Sequence, residues 1–406
     1  MEILFIAPVD KFQVRDAGYG NAAAGIAQVL ERMKAEKRIG NIHYLNTARP
    51  GTIEIPDHKV DAAIVMAHPS SFLQKSPGVE KVLRVLETAD RRMLSVVWET
   101  TPLPAKWSGL LNEPTLFTDI ITPSYFVAGE LRKVVKKPIY YYPHFINVDE
   151  IPQVSLEEKM KEETFTVLYI GQHTKRKGLE DSVVSFIRSL GDCPDARLVL
   201  KYHKMTDREM NPDTMIYHAV MTNAIRPKAR VYSITEMLER DRMYGLYHMA
   251  SVLFFPSRGE GFGLPLAEAM SAGVPAIYTG WSSMPEVARA PGNIELDYVV
   301  DEAIGMYHHG YDIGSKYAVP LVSSCMAALS EKYRHWKKNK ESYYLAARSN
   351  RDIIVERFGY DPVSACIEHL LHEREGFAPK DIDERMNKVV QGPAHNRVSE
   401  RSEVGA

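Results

Sequence analysis

Short apolar runs that alternate with stretches of helical spacing limit the fold of this chain more than any other feature. In the first part of the sequence the apolar runs are Glu2–Val9, His43–Leu45, Ala62–Ala67, Met93–Trp98, Asp119–Thr122 and Ile139–Tyr142. The stretches with helical spacing are about Asn21–Lys37, Gly78–Ala89 and Tyr125–Val135. Strands that alternate with helices in this way predict a parallel sheet with helices on both faces.

The same alternation begins again after a polar stretch, Asn147–Glu163, which contains Pro152 and a charged run. We interpret this stretch as a boundary between domains. Beyond it the predicted strands are Thr166–Ile170, Ala196–Tyr202, Arg230–Ile234, Val252–Pro256 and Ala276–Thr279, and the predicted helices are Gly178–Leu190, Met237–Ala250, Pro265–Ala272 and Val319–Trp336. The sequence therefore predicts an α/β protein with two Rossmann-like doubly wound domains that face a central cleft.

We expect the first domain to cover residues 1–150 and the second to cover residues 164–350. A helix near residues 360–376 is expected to pack back on the first domain. The last residues, 378–406, are rich in Arg, Glu, Asn and Ser, which is typical of a flexible tail. A length of 406 residues suits two domains, and 45% hydrophobic with 25% charged residues is the composition of a globular protein.

The formal net charge of −2 leaves no global basic field that would recruit nucleic acid or a membrane. We interpret the basic clusters at 132–137 and 334–340 as solvated helix faces. The three cysteines, Cys193, Cys325 and Cys366, are isolated, which argues against a disulfide framework or a zinc site and fits a reducing compartment. Neither a signal peptide nor a run of about 20 apolar residues is visible, so we expect a cytoplasmic protein without a transmembrane segment.

A strand, a glycine-rich loop and a helix start follow one another over residues 254–270. Pro265 marks the first turn of the helix. The backbone N–H groups of Gly261–Leu264 would therefore lie at a helix N-terminus, which suits a diphosphate. The carboxylates of Glu260 and Glu268 lie on the loop and in the first turns of the helix. Both could accept hydrogen bonds from hydroxyls of one ligand, one at a sugar and one at a ribose.

This string resembles the motif of retaining glycosyltransferases of family 4, in which seven residues separate two glutamates. The resemblance is strong over about residues 166–286 and fainter, but continuous, over about residues 1–370. It implies the GT-B fold of two Rossmann-like domains and a nucleotide-diphosphate sugar, a UDP- or GDP-sugar, as co-substrate, with no metal and no other cofactor. By this match Glu260 contacts the donor sugar and Glu268 the nucleotide ribose. The intervening residues implied to bind the donor are Gly261, Phe262, Gly263 and Leu264.

A second segment, Val167–Gly178, has the pattern of a strand, a loop and a helix start. Lys177 is similar to the family's diphosphate-binding lysine, which stands just before a glycine. Gln172 stands where the family usually has arginine, and glutamine cannot supply a positive charge. We place Gln172, Arg176 and Lys177 in the expected donor site. Either Lys175 or Arg176 substitutes for the missing charge, or donor binding is weaker.

The glycines near the amino terminus form a third element of the resemblance. The segment Asp16–Asn21 follows the first predicted strand and is similar to the family's first glycine-rich loop, whose backbone approaches the donor phosphates. Gly18 and Gly20 are therefore expected to contact the donor. A plain turn is the alternative, because glycine-rich turns are common.

Three side chains at the predicted carboxyl ends of strands are candidates for the acceptor side: His68, Trp98 and Glu99. Many family members have histidine where this chain has Trp98 and Glu99. Glu99 is our candidate for orienting the acceptor or accepting its proton, and a buried structural carboxylate is the alternative. Trp98 and Trp107 suggest an aromatic wall for stacking on a sugar or base, with plain packing as the alternative. For His68 the alternative interpretation is a structural histidine at the edge of the core.

The resemblance implies a retaining, metal-independent transfer of a sugar to a hydroxyl acceptor, with attack on the same face as the leaving diphosphate. The expected catalytic residues are Glu260, Lys177 and Glu99, which would position the reactants and stabilise the leaving group. A saccharide or small molecule is the expected acceptor. The alternatives are a modified base in DNA, bound by the basic cluster at 132–137, another sugar-nucleotide enzyme, and a non-catalytic module that binds a nucleotide sugar.

Overall fold

The structure, a computed structural model, has two compact units. The first comprises Met1–Asn147 together with the described residues from Glu356 onward, and the second comprises Val148–Val355. Each unit is built on its own six-stranded parallel sheet, and each is described here by itself. The residues that the structure describes are 1–8, 18–47, 58–74, 76–203, 212–223, 227–304, 306 and 310–373.

The sheet of the first unit has the strand order β2-β1-β3-β4-β5-β6, with every pair parallel. Strands β1 and β5 are buried along their whole length, because a parallel sheet is covered by helices on both faces. This confirms the predicted parallel sheet. The strands are β1 (Ile3–Ala7), β2 (Ile42–Asn46), β3 (Val60–Val65), β4 (Ala89–Ser95), β5 (Asp119–Thr122) and β6 (Ile139–Tyr141).

Four helices of the first unit lie between these strands in the chain. The hydroxyls of Ser76 and Ser124 cap two of them, each accepting a hydrogen bond of 3.3 Å from the backbone N–H three residues later. The helices are α1 (Gly18–Ala35), α2 (Pro77–Leu86), α3 (Trp107–Asn112) and α4 (Tyr125–Arg132).

Helix α1 begins three residues earlier than the predicted start at Asn21. Gly18 and Gly20 therefore lie in its first turn and not in a loop before it, while Asp16 and Ala17 fall outside the described residues. A Cβ built on Gly18 meets no described atom within 4 Å, so packing does not require glycine there. Gly25 differs, since a Cβ there would lie 3.1 Å from the carbonyl oxygen of Phe145.

The sheet of the second unit has the strand order β12-β11-β10-β7-β8-β9, again with parallel pairs. This is the order of the Rossmann fold, in which ligands bind at the carboxyl ends of the strands where the strand order reverses. Strands β7 and β10 lie at that reversal. The strands are β7 (Phe165–Gln172), β8 (Ala196–His203), β9 (Arg230–Ile234), β10 (Val252–Phe255), β11 (Ala276–Thr279) and β12 (Ile294–Leu296).

Aromatic side chains fill the core of the second unit beneath the start of β7. The ring of Phe165 lies 5.5 Å from that of Trp336 and 6.2 Å from that of Tyr343, and all three side chains are almost wholly buried. Such clusters bury a large apolar area. The helices of this unit are α5 (Leu156–Lys161), α6 (Leu179–Leu190), α7 (Pro212–Asn223), α8 (Arg240–Met249), α9 (Leu264–Ser271), α10 (Met284–Ala288), α11 (Val322–Lys338), α12 (Lys340–Leu345) and α13 (Ser349–Phe358), in which the division between the units falls.

An antiparallel hairpin follows the second sheet, and it corrects one sequence-based expectation. Its strands are β13 (Tyr298–Glu302) and β14 (Lys316–Pro320). The helix predicted from Val319 instead begins at Val322, because Val319 pairs with Val299 in the hairpin. Pro320 ends the strand, since proline cannot continue a hydrogen-bonded ladder.

The last described helix, α14 (Tyr360–His372), belongs to the first unit and packs against α1. The guanidinium of Arg38 pairs with Glu368 at 2.6 Å and donates a hydrogen bond of 3.0 Å to the hydroxyl of Ser364. Deeper in the unit, Arg91 pairs with Asp119 at 2.8 Å and also donates to the backbone carbonyl of Leu370. The tail predicted at 378–406 lies outside the described residues. Within the described part of the chain, no helix is long and apolar enough to cross a membrane.

Candidate functional site

The strand, loop and helix that the sequence analysis singled out form one continuous feature of the second unit. Strand β10 is wholly buried and leads into the loop at 256–263, after which α9 begins at Leu264 with Pro265 in its first turn. Gly263 precedes the helix with φ of 98°, a left-handed conformation that favours glycine. No side chain caps this helix. Its N-terminus therefore presents backbone donors and the positive end of the helix dipole, which suits an anion.

The carboxylate of Glu260 lies at the centre of a buried charged cluster. Lys177 Nζ lies 2.7 Å and 2.9 Å from its two oxygens, and Arg176 Nη1 lies 3.4 Å from Oε2. The hydroxyl of Ser257 donates a hydrogen bond of 2.6 Å to Oε1. Burial alone would raise the pKa of Glu260, but the charges of Lys177 and Arg176 and the hydrogen bonds hold it below its ordinary value. Glu260 is therefore ionised at neutral pH.

Two serines after β11 hold the backbone of Glu260. Its N–H donates to the hydroxyl of Ser282 at 2.9 Å, and its carbonyl oxygen accepts from the hydroxyl of Ser283 at 2.8 Å. Ser282 has φ of 56°, a conformation that is uncommon for residues other than glycine. Glu260 is thus fixed at both its main chain and its side chain. Sequence reasoning missed both serines because an isolated pair of serines on a loop carries no signal of its own.

Lys175 and Arg176, which precede α6, have different surroundings. Arg176 Nη1 donates a hydrogen bond of 2.6 Å to the carbonyl oxygen of Gly259, and the carbonyl oxygen of Arg176 accepts one of 2.7 Å from the N–H of Arg258. Lys175 Nζ instead points to the carbonyl oxygen of Ile304 at 3.4 Å. Of the two cations proposed to replace the missing arginine, the structure therefore brings Arg176, and not Lys175, to Glu260. Gln172 is the last residue of β7 and is half-buried.

Arg258 connects the glycine-rich loop to two neighbouring elements, and sequence reasoning missed it. Its guanidinium lies 2.8 Å from a carboxylate oxygen of Asp181 in α6 and 3.2 Å from the hydroxyl of Tyr317 in β14. Its carbonyl oxygen accepts a hydrogen bond of 2.9 Å from the N–H of Ala318. The loop is therefore held between a helix and the hairpin, which fixes the direction in which Glu260 points.

The second carboxylate of the motif, Glu268, lies in the second turn of α9. The hydroxyl of Tyr247, on α8, donates a hydrogen bond of 2.6 Å to its Oε2. Burial raises the pKa of Glu268, and the hydrogen bond from Tyr247 opposes part of that rise. One oxygen of Glu268 is therefore oriented by the protein.

The aromatic residues of the first unit correct the expectation of a stacking wall. Trp98 is 2% exposed and Trp107 is fully buried, with their rings 4.7 Å apart and edge to face. The indole N–H of Trp107 donates to Ser70 Oγ at 2.9 Å. Trp98 and Trp107 are therefore part of the packed core, which is the alternative considered for them, and present no open aromatic face.

His68 and Glu99 do lie near one another in the first unit. His68 Nδ1 accepts a hydrogen bond of 3.3 Å from the N–H of Ser70 and so caps a short 3₁₀ helix, Pro69–Leu73. Burial lowers the pKa of His68, and the charge of Glu99 acts against that effect. The hydroxyl of Tyr19, in the first turn of α1, donates a hydrogen bond of 3.4 Å to the carbonyl oxygen of Val97 and accepts one of 3.3 Å from its N–H. Glu99 is half-buried, and its role on the acceptor side stays a prediction.

Residues 151–293 match the family model described as "Glycosyl transferases group 1". Among curated proteins, the chain is 26% identical over 223 residues to a putative glycosyltransferase, ORF330, of Acidianus filamentous virus 2, covering 53% of this chain and 59% of the relative. It is 25% identical over 260 residues to the alpha-galactosylglucosyldiacylglycerol synthase of Streptococcus pneumoniae, covering 61% and 55%. The chain thus spans less than two thirds of the length of these relatives.

Among solved structures, a glycosyltransferase of Rickettsia africae superimposes with a TM-score of 0.58 at 12% identity, covering 92% of this chain and 99% of that one. Anabaena HepE, in complex with UDP and glucose, superimposes with a TM-score of 0.57 at 13% identity, covering 91% and 98%. At such identities the likeness shows the fold alone. The chain therefore has the two-Rossmann fold of GT-B glycosyltransferases, and its residues 151–293 are similar to the glycosyl transferases of group 1.

Proposed function

We propose that this chain is a retaining glycosyltransferase of family 4 that transfers a sugar from a nucleotide-diphosphate sugar to a hydroxyl acceptor without a metal ion. The observation that carries the proposal is the buried cluster of Glu260 with Lys177 and Arg176, next to the uncapped N-terminus of α9. A carboxylate beside two cations and a row of backbone donors matches a ligand that has both hydroxyls and a diphosphate. The family match over residues 151–293 covers all of these groups.

Because two cations pair with the carboxylate of Glu260, one of them can turn to the donor diphosphate while the other stays on Glu260. When a diphosphate binds, Lys177 is shared between Glu260 and the phosphate oxygens. Arg176 and the hydroxyl of Ser257 stay on Glu260, so that its charge remains compensated in a buried site. The remaining lone pairs of the Glu260 carboxylate then accept hydrogen bonds from hydroxyls of the donor sugar, and Glu268 accepts from the ribose.

In the transfer step, the acceptor oxygen forms a bond to the anomeric carbon while the bond from that carbon to the diphosphate oxygen breaks. The diphosphate leaves with the electron pair of the broken bond, on the face that the acceptor approaches, and the hydroxyl proton passes to the leaving oxygen. Lys177 and the backbone N–H groups at the start of α9 stabilise the negative charge that develops there. Glu99 orients the acceptor hydroxyl.

The acceptor in this proposal is a saccharide or small molecule, and a modified base in DNA is the alternative. The basic cluster at 132–137 is the basis for the DNA alternative. Lys133 Nζ lies 2.5 Å from a carboxylate oxygen of Glu130, and Lys137 Nζ lies 2.5 Å from the carbonyl oxygen of Glu113. Acceptors within the protein thus engage two amines of the cluster, which favours a saccharide or small molecule over DNA.

The test is a panel of UDP-, GDP- and ADP-sugars incubated with the protein in the presence of a chelator, with release of the nucleotide as the readout. We expect slow hydrolysis of one donor, lost in Glu260→Gln and retained in Glu295→Gln. Glu295 is a matched control because its carboxylate also pairs with an arginine, Arg289, at 2.9 Å, but on the surface. Proton NMR of the transfer product would show whether the anomeric configuration is retained.

Each outcome bears on a different part of the proposal. Turnover only with an added divalent ion would contradict the metal-independent mechanism, and an inverted product would contradict retention. Binding of a nucleotide sugar without turnover, alone and with a panel of sugar acceptors, would favour a non-catalytic binding module. Equal turnover in the Glu260 and Glu295 variants would show that Glu260 takes no part in turnover of the donor.

A further inference from the structure

Three side chains meet at the amino ends of neighbouring strands in the first sheet, at the edge opposite the carboxyl ends. Glu2 directly precedes β1, His43 is the second residue of β2, and His58 lies two residues before β3. In the sheet β1 lies between β2 and β3. The glutamate is therefore flanked by one histidine from each side. These residues play no part in the proposed transfer.

The potential ligand atoms of the three side chains are close together. His43 Nε2 lies 2.5 Å from Oε1 of Glu2, and His58 Nε2 lies 3.0 Å from its Oε2. One ligand atom from each residue lies within 4.8 Å of the others. The side chains are 26%, 34% and 50% exposed for Glu2, His43 and His58, so an ion can reach them from solvent.

The backbone that carries these groups is well anchored. The N–H of Glu2 donates a hydrogen bond of 2.6 Å to Oδ2 of Asp61, and its carbonyl oxygen accepts one of 3.1 Å from the N–H of Asp61. His43 pairs with Leu4 in the ladder between β1 and β2. His43 is thus held in a regular strand and Glu2 by two hydrogen bonds beside one, which lowers the entropy lost on binding an ion.

We propose that Glu2, His43 and His58 form a binding site for a divalent transition-metal ion of the zinc type. Two imidazole nitrogens and one carboxylate oxygen are a ligand set that Zn²⁺ takes in proteins, with a fourth position left for water. In a tetrahedral zinc site the ligand atoms lie about 3.3 Å apart. The hydrogen-bonded atoms here are 2.5 Å and 3.0 Å apart, so small rotations of the side chains suffice.

The isolated cysteines argue against a cysteine zinc site, and the spacing of Glu2, His43 and His58 in the chain gives no sign of a metal site. His43 is 41 residues and His58 is 56 residues from Glu2, and only the parallel sheet brings them together. Because the ligands come from three strand starts, a bound ion would tie these starts to one another. It would therefore stabilise the first unit, and it lies outside the proposed transfer site.

Direct titration of the untagged, chelator-stripped chain with zinc chloride tests the site, because a histidine tag would bind zinc itself. We expect one zinc ion per chain with a Kd on the order of 10 μM or tighter, and a melting temperature that rises with zinc concentration. Glu2→Gln and His43→Asn should weaken binding by about tenfold or more. His218→Asn, which alters an exposed histidine on α7, should leave it unchanged.

A spectroscopic readout and a second variant keep the test decisive. Co²⁺ in place of Zn²⁺ should give the visible absorption of a four- or five-coordinate ion, and His58→Asn should abolish it. His58 lies outside a regular strand, so this variant carries the test if His43→Asn disturbs β2. Mg²⁺ should not compete, because it prefers oxygen ligands alone. Equal zinc affinity in the wild type and these three variants, or no binding below about 1 mM, would overturn the proposal.

Discussion

The hydroxyl of Tyr247 donates a hydrogen bond of 2.6 Å to Oε2 of Glu268, from one helix of the second unit to another. Tyr247 is fully buried, and no polar side chain is needed at such a position for packing alone. The hydrogen bond orients the carboxylate, and it also opposes the rise in the pKa of Glu268 that burial causes. Tyr247 is therefore a positioning residue for the proposed ribose contact.

Tyr247→Phe should weaken nucleotide binding by about fivefold, the equivalent of about 1 kcal/mol for one hydrogen bond. Removing the donor also lets the pKa of Glu268 rise further. As the pH is lowered, Glu268 of the variant should therefore become protonated, and nucleotide binding weaken, at a higher pH than in the wild type. Calorimetric titration with the nucleotide between pH 5 and pH 8 measures both effects. Tyr360→Phe is the matched control, because Tyr360 donates to Glu36 in the first unit. Identical pH profiles for the wild type and Tyr247→Phe would contradict this role.

Glu260→Gln should destabilise the second unit, because it leaves Lys177 and Arg176 together without a compensating charge in a buried site. Breaking a buried ion pair from one side costs about 3 kcal/mol. Urea unfolding measures the change, and the double variant Glu260→Gln with Lys177→Met should recover part of the loss. A loss of stability in the double variant that equals or exceeds the sum of the two single losses would show that the pair does not act as a unit.

The stability that Glu260 contributes should depend on pH in a defined direction. Its pKa is lowered in the folded protein relative to the ordinary value of 4.5, so its contribution is present above pH 4.5 and is lost as pH falls through the folded pKa. The difference in free energy of unfolding between wild type and Glu260→Gln should therefore be constant from pH 7 to about pH 5 and shrink below it. Urea midpoints at four pH values would measure this. A difference that grows on acidification would mean that the sign of the pKa shift is wrong.

Gly178→Ala should strongly destabilise the second unit and reduce donor binding, because Gly178 follows Lys177 and precedes α6. It has φ of 71°, and a Cβ there would lie 2.3 Å from the carbonyl oxygen of Pro256, so backbone must move. Gly245→Ala is the control, since that glycine lies in α8 with no described atom within 4 Å of its Cβ. Alanine in a helix should stabilise by up to about 1 kcal/mol. Thermal melts and nucleotide titrations of both variants would measure the contrast, and equal stability would contradict it.

Sequence reasoning singled out Glu260, Glu268 and Lys177 as candidates because each stands in a contiguous string whose strand, loop and helix start are visible in the residues themselves. It also predicted the parallel sheets, since strands such as Asp119–Thr122 and Ala276–Thr279 are short apolar runs between polar segments. The order of the strands could not be read in this way. Order depends on which helix crosses which face, and no local pattern records that.

The groups that sequence reasoning missed are those whose partners are distant in the chain. Ser282 lies 22 residues from Glu260, and Arg258 lies 59 residues from Tyr317, so neither is marked by its neighbours. Trp98 illustrates the opposite error. A tryptophan after a strand was expected to line a wall, but its ring packs against Trp107, because burial of both rings removes more apolar area from water.

Helix α14 has a consequence for how the chain is made. It belongs to the first unit, yet it is synthesised after residues 148–355 of the second. Arg91 donates a hydrogen bond to the carbonyl oxygen of Leu370, and Arg38 pairs with the carboxylate of Glu368. Neither partner exists while the ribosome is still translating residues 148–355. The amino-terminal sheet therefore lacks these partners until α14 has been made. A nascent chain that stops before α14 would contain residues 148–355 together with an unfinished first unit.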